Sequence, residues 1–144
     1  MARFEEHVDV GTSVEETFRY ITDQKQVASW NDHVQRVEVD GGGPVAPGTI
    51  IRQHRRRGNR EFVLTFQVID HESPRRHALR GEVFGTSTTM EFGLEPRGSG
   101  TRVSMAATVE ARGLKGVLAP LVARQMRKST VAALTALRER LGAA

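Results

Sequence analysis

The sequence predicts an α+β domain in which a curved antiparallel sheet of seven strands wraps around one long C-terminal helix. Three observations predict it. In residues 113 to 144, Leu114, Leu118, Leu121, Val122, Met126, Leu134, Leu137 and Leu141 recur largely at steps of three and four, the period of a helix with a wide apolar face. From residue 34 to residue 111 the apolar residues alternate in twos instead, the period of half-buried strands. Between these strands and a first strand at the start of the chain stand the signals of two short helices. A lone helix with a wide apolar face must be buried against something, and the sheet is the available partner.

The elements follow in order. In RFEEHVDV, residues 3 to 10, Val8 and Val10 fall on one face of a strand. Ser13 followed by Glu16 is a capping box, and Val14, Phe18 and Ile21 then share one helical face. Asp23 and Gln26 repeat the start signal for a second short helix, DQKQVASW, which ends near Trp30 and Asn31. Val37 and Val39 alternate with Glu38 and Asp40 in the second strand, and GGGPVAPG closes it as a turn-rich loop. TIIRQHRR and REFVLTFQVIDH flank Gly58 and Asn59, residue types that tolerate positive φ, so a tight hairpin is expected. ESPRR turns the chain into HALRGEVF; STTMEFGLE and TRVSMAATVEA follow, separated by the turn from Pro96 to Gly100. Pro120 is tolerated in a first helical turn, which places the start of the last helix near Val117 or Leu118. Some 25 residues from there, at about 1.5 Å each, span nearly 40 Å.

Composition narrows the function classes. A chain of 144 residues is the length of one ordinary domain, covering 1–144. Its 38% hydrophobic and 26% charged residues are those of a soluble globular protein, and no apolar run approaches the roughly 18 residues that cross a bilayer. MARFEEHVDV has no apolar core behind Arg3, so a secretory signal is not expected and a cytoplasmic location is. The absence of cysteine excludes disulfides, thiolate nucleophiles and sulfur-ligated metals. No GxSxG turn, phosphate-cradling Gly loop or HExxH is present. The five histidines, His7, His33, His54, His71 and His77, are scattered over strands or strand ends without ligand spacing, so no metal and no cofactor is expected. His71 and His77 flank one turn and can be neighbours.

A net charge of +4 raises nucleic acid and anionic membrane as partners. The densest charge is HRRRGNR, residues 54 to 60. No aromatic residue interleaves with those arginines, so base stacking has no platform, and the run reads as an exposed hairpin that resists edge pairing. Nucleic-acid binding is disfavoured on this reading, and contact with a membrane surface is weak.

Several stretches carry a family resemblance. VDVGTSVEETFRYITDQKQVASWNDHVQRVEV is similar to the opening of the polyketide cyclase/dehydrase-like branch of the SRPBCC superfamily, where a strand, a capped helix, an Asp and a Trp stand in that order. PGTIIRQ resembles that branch's Gly-led third strand, ESPRRHALRG its turn into the fifth, GSGTRVSM its turn into the seventh, and GLKGVLAPLVARQMRKS its approach to the terminal helix. The resemblance, which extends to START domains and plant pathogenesis-related allergens, implies the helix-grip fold. It also implies a cavity between sheet and terminal helix that takes in apolar or aromatic ligands, polyketide- or lipid-like, with cyclase or dehydratase catalysis in some branches only. None of the quoted pieces is a catalytic signature.

Alternation proposes the cavity wall when each strand turns its more apolar set toward the long helix. Leu64 and Phe66, Met90 and Phe92, and Met105 belong to three such sets. Ile51 has Gln53 and Arg55 as same-face neighbours, which brings polar groups inward. His77 and Leu79 complete the sheet side, and Trp30 plugs one end. From the helix, Leu121, Val122, Gln125 and Met126 close the space, with Ser129 beside them. Small residues, Gly81, Gly93, Ala106, Ala107 and Ser129, are expected to leave room. A catalytic use of this space needs a proton donor or acceptor inside it, and Gln53, Arg55, His77, Arg80 and Glu82 are the residues within reach. Sheet register decides which of them point inward.

Overall fold

A computed structural model describes residues 1 to 111 and 117 to 143. The elements are β1 (Ala2–Val10), α1 (Val14–Thr22), α2 (Val27–Trp30), β2 (Val34–Val39), β3 (Ile50–Arg57), β4 (Arg60–Glu72), β5 (Arg76–Val83), β6 (Thr86–Arg97), β7 (Gly100–Glu110) and α3 (Ala119–Leu141). The seven strands form one antiparallel sheet in the order β1-β7-β6-β5-β4-β3-β2. Strands consecutive in sequence from β2 to β7 are therefore hairpin neighbours, while β1 and β2 lie on opposite edges. The two short helices carry the chain from one edge to the other. This is the expected α+β architecture.

Local chemistry explains each element. The Ser13 hydroxyl accepts from the Glu16 amide at 3.2 Å, so α1 starts at its predicted cap, and it buries Val14, Thr17, Phe18 and Ile21. The second helix is shorter than DQKQVASW implies. Asp23 accepts from the amide of Lys25, and its carbonyl accepts from that of Gln26, so residues 23 to 26 form a turn and only Val27–Trp30 is helical. The Gly58-Asn59 loop joins β3 to β4 as expected, with only Gly58 at positive φ, as a first-position glycine in a two-residue hairpin allows. Phe84, read from sequence as the last strand residue, instead shares a two-residue hairpin loop with Gly85, both at positive φ. In α3, Val117 and Leu118 form a preceding 3-10 turn and Pro120 sits in the first helical turn.

The core lies between the concave face of the sheet and α3, which packs on β1 and β7 and touches α2. Ala119, Val122, Ala123, Thr130, Ala133, Leu134 and Leu137 form its buried stripe. Removing Leu134 or Leu137 from water stabilises the docking by roughly 1.5–3 kcal/mol each. Beyond the helix the Gly11 amide donates to the carbonyl of Gly142 at 2.9 Å, and Val10 bridges Ala143, which ties the C-terminal end to the edge strand. Across the same edge Arg102 grips Asp9 with two hydrogen bonds, 2.8 and 3.1 Å long, and that guanidinium holds the Asp9 carboxyl below its ordinary range.

Two sheet features shape the concave face. Gly81 stands opposite Phe66, whose ring lies over the β5 backbone; a Cβ on Gly81 would come within 2.3 Å of the Thr65 carbonyl oxygen and 2.7 Å of Phe66 Cδ1. Gly81 is thus explained by close packing rather than by the room expected of it. The second feature is a β-bulge between Val68 and Asp70 on β4. Without it His71 and Val68 would face opposite sides; the extra residue turns His71 to the same side as Val68, opposite His77. Gly81→Ala is expected to destabilise the fold by about 1–3 kcal/mol, since neither the backbone oxygen nor the packed ring can withdraw freely. Gly93→Ala, with nothing within 4 Å of its Cβ position, is expected to change stability by less than about 1 kcal/mol. Urea unfolding of the two variants beside wild type makes the comparison.

Candidate functional site

Where α3 leaves the sheet uncovered, a cavity of about 100 Å³ opens between β3, β4, β5, β6 and the middle of the helix. On the same measure a single water needs roughly 10–15 Å³, so the space holds a guest of several heavy atoms. Strand alternation supplies most of its wall: Gln53 and Arg55 from β3, Phe62, Leu64 and Phe66 from β4, His77, Leu79 and Val83 from β5, Met90 and Phe92 from β6, and Met105 from β7. Ile21, Val27 and Trp30 close one side from α1 and α2. Gln125, Met126, Ser129, Thr130 and Ala133 form the helical wall.

Of the residues expected at the site, Trp30, Gln53, Leu64, Phe66, His77, Leu79, Met90, Phe92, Met105, Gln125 and Met126 line this cavity. Three do not. Leu121 is 62% exposed, because it lies one turn too early, on the solvent side of α3. Val122 is buried with Ala119 and Ala123 in the stripe that meets the sheet, outside the cavity. Ile51 is fully buried core, one step along β3 from Gln53 and beyond the cavity floor. Arg80 and Glu82 point outward, so register leaves Gln53, Arg55 and His77 as the inward polar groups among the five considered. Sequence reasoning missed Phe84, whose hairpin tip brings its ring to the mouth, where it lies 6.0 Å from Phe62. It also missed His33, Asn31 and Gln24, loop and turn residues with no periodicity to betray them.

The run HRRRGNR is divided by the pleat rather than displayed as one patch. His54 bonds Glu38 at 2.6 Å and Arg56 pairs with Glu61 at 3.3 Å, whereas Arg55 turns inward. Burial lowers the pKa of the Arg55 guanidinium, which has no ion pair or side-chain hydrogen bond among the described residues. Two further cavity groups lack partners. Trp30 Nε1, on a ring set edge-on to Phe92, and Gln53 Oε1 are buried without a hydrogen bond.

His77 and His71 form a coupled pair, with their Nδ1 atoms 3.0 Å apart. One Nδ1 must donate and the other accept, so two imidazolium ions cannot share this geometry. His71 also lies against Phe18, ring centroids 5.3 Å apart. Burial, reinforced by His71 and opposed by Asp70, lowers the pKa of His77 to about 4, and burial lowers that of His71 as well. His77 is therefore a neutral imidazole at pH 7, and its Nε2 has no partner among the described residues. Among those residues no three His, Cys, Asp or Glu side chains gather as a metal site, and no helix is long and apolar enough to cross a membrane.

Comparison with known families settles the lineage. The family model for polyketide cyclase / dehydrase and lipid transport matches residues 1–142. The chain belongs to that family. It is an SRPBCC-type fold, and solved structures agree. The protein Ara h 8.0201 superposes with a TM-score of 0.79 at 13% identity, covering 97% of each chain. A START superfamily protein from Mycobacterium smegmatis gives 0.77 at 16% identity over 96% of each chain. The di-domain ARO/CYC BexL of the BE-7585A biosynthetic pathway gives 0.80 at 16% identity; 96% of this chain matches, across 46% of that larger protein. No curated protein matches the sequence. At these identities the proteins compared share a fold with this chain, and nothing further is carried over from them.

The depressed pKa of His77 has a thermodynamic sign. Below its ordinary value of 6.5 the unfolded chain takes up a proton that the folded chain refuses until about pH 4. Stability is thus expected to fall as pH drops from about 6.5 to 4, by on the order of 3 kcal/mol, with no further loss from this group below that. Urea midpoints measured at pH 7 and pH 4.5 should show the drop in wild type and a clearly smaller one in His77→Phe.

Proposed function

We propose that the protein is a cytoplasmic binder of a small, mostly apolar or aromatic molecule, polyketide- or lipid-like, held between the sheet and α3. The observation that carries this reading is the apolar-walled vacancy itself, bounded by Phe62, Leu64, Phe66, Met90, Phe92 and Met126. Membership of a family described by polyketide chemistry and lipid transport supports it. Methionine suits such a wall, because unbranched thioethers adapt to varied shapes. The test fills the space from the helical side. Wild type is expected to bind the neutral fluorophore N-phenyl-1-naphthylamine, and Ser129→Phe to weaken that binding about tenfold or more without lowering the thermal midpoint. Equal binding by two folded proteins would refute an internal site.

A cyclase or dehydratase using the same cavity is the second reading. It is favoured by His77, an uncharged imidazole able to accept a proton inside an apolar space, and by the fold shared with an aromatase/cyclase domain. Turnover of an aromatic polyketide mimic, abolished in His77→Phe while fluorophore binding persists, would establish it. Binding without turnover in wild type would leave a carrier.

A further inference from the structure

The cavity wall carries an unbalanced charge. Arg55, Arg56 and Arg57 line it, and among the described residues no aspartate or glutamate does. Arg56 has Glu61 as an external partner, and Arg57 stands exposed at the hairpin tip. Arg55 differs from both. It lies on the concave face of β3 in line with Gln53, is half-buried, and has no acid to neutralise it among the described residues. A guanidinium drawn out of bulk water without a carboxylate is costly unless an anion arrives to meet it. Two residues deeper along the same strand, about 7 Å away, Gln53 is 7% exposed and its Oε1 accepts nothing. Trp30, 5% exposed, has an indole N–H that donates to nothing. Buried polar atoms are nearly always paired, so two orphans in one apolar cavity mark places where a guest supplies the missing partner.

We propose that the occupant is an amphipathic organic acid, with an apolar, ring-sized body in the cavity and one carboxylate held by Arg55 at the mouth. The inference rests on the binding function proposed above and names its ligand class. Arg suits the task, since its planar fork meets a carboxylate with two parallel hydrogen bonds. Gln53 then favours acids that also bear a hydroxyl on the far side of the body, whose proton its Oε1 would accept. The wall's lack of carboxylates sets the sign of selection: an uncharged analogue loses the ion pair, and an amine meets three guanidinium groups.

The experiment displaces bound N-phenyl-1-naphthylamine with 2-naphthoate and with 2-naphthamide, which match in shape and differ in charge. Wild type is expected to prefer the acid about tenfold. Arg55→Met should abolish that preference while the neutral fluorophore still binds, Arg55→Lys should keep part of it, and Arg60→Met, at an exposed arginine outside the cavity wall, should keep all of it. The hydroxyl is read separately. 6-Hydroxy-2-naphthoate should displace better than 2-naphthoate, and Gln53→Leu should erase that gain. Equal displacement by acid and amide in wild type, or an undiminished preference in Arg55→Met, overturns the assignment while leaving the cavity as a neutral binding site. Failure of the fluorophore itself to bind overturns the binding function and this inference together.

Discussion

A helix is too narrow for the sheet it lies on. With side chains it is about 10–12 Å across, whereas seven strands spaced at about 4.8 Å make a layer roughly 29 Å wide. The chain resolves the mismatch unevenly: α3 packs on β1 and β7, α1 on β6 and β7, and α2 on β2. Among the described residues no helix packs extensively on β3, β4 or β5. The cavity lies over those strands, so it follows from the dimensions of secondary structure before any particular residue is chosen. Residues then decide what the space is like, and here they make it apolar in body and positive at its mouth.

The architecture was legible in the sequence because two periods, 3.6 and 2, divide the chain cleanly, and because Gly58-Asn59 and Ser13 with Glu16 punctuate it with specific chemistry. Strand faces were legible for the same reason, which is why most of the wall could be named from alternation alone. Errors fell where alternation says nothing. A helix face is ambiguous by about one residue on either side of its stripe, so Leu121 and Val122 were assigned inward when one is solvent-exposed and the other meets the sheet. A strand pattern likewise does not report how far along the strand the cavity extends, so Ile51 was included. The bulge on β4 has no sequence mark in Gln67-Val68-Ile69-Asp70, yet it alone puts His71 beside His77. Phe84 defied expectation for a steric reason, since an aromatic residue at positive φ is uncommon and strand propensity argued the other way.

The electrostatic character of the site rests on two opposite arrangements of basic groups. At the depth of β5, burial lowers the pKa of two imidazoles bonded to each other and disfavours their charged forms. At the mouth, the Arg55 guanidinium has no counter-ion among the described residues. Outside, Asp9 with Arg102 and Glu38 with His54 pair across neighbouring strands, and Arg127 ties α3 to Glu6 of β1. Along the charged run of the β3–β4 hairpin Arg55 is half-buried in the cavity wall, while Arg56 and Arg57 stand exposed at its rim.

The two walls of the cavity are under unequal constraint. Changes on the sheet side disturb pairing, bulge and ring stacking together, as Gly81 against Phe66 illustrates. The helical wall is different: Gln125, Met126 and Ser129 are only partly buried and lie beside the stripe that anchors α3. Substitutions at these few positions can therefore reshape the space while the scaffold stays fixed.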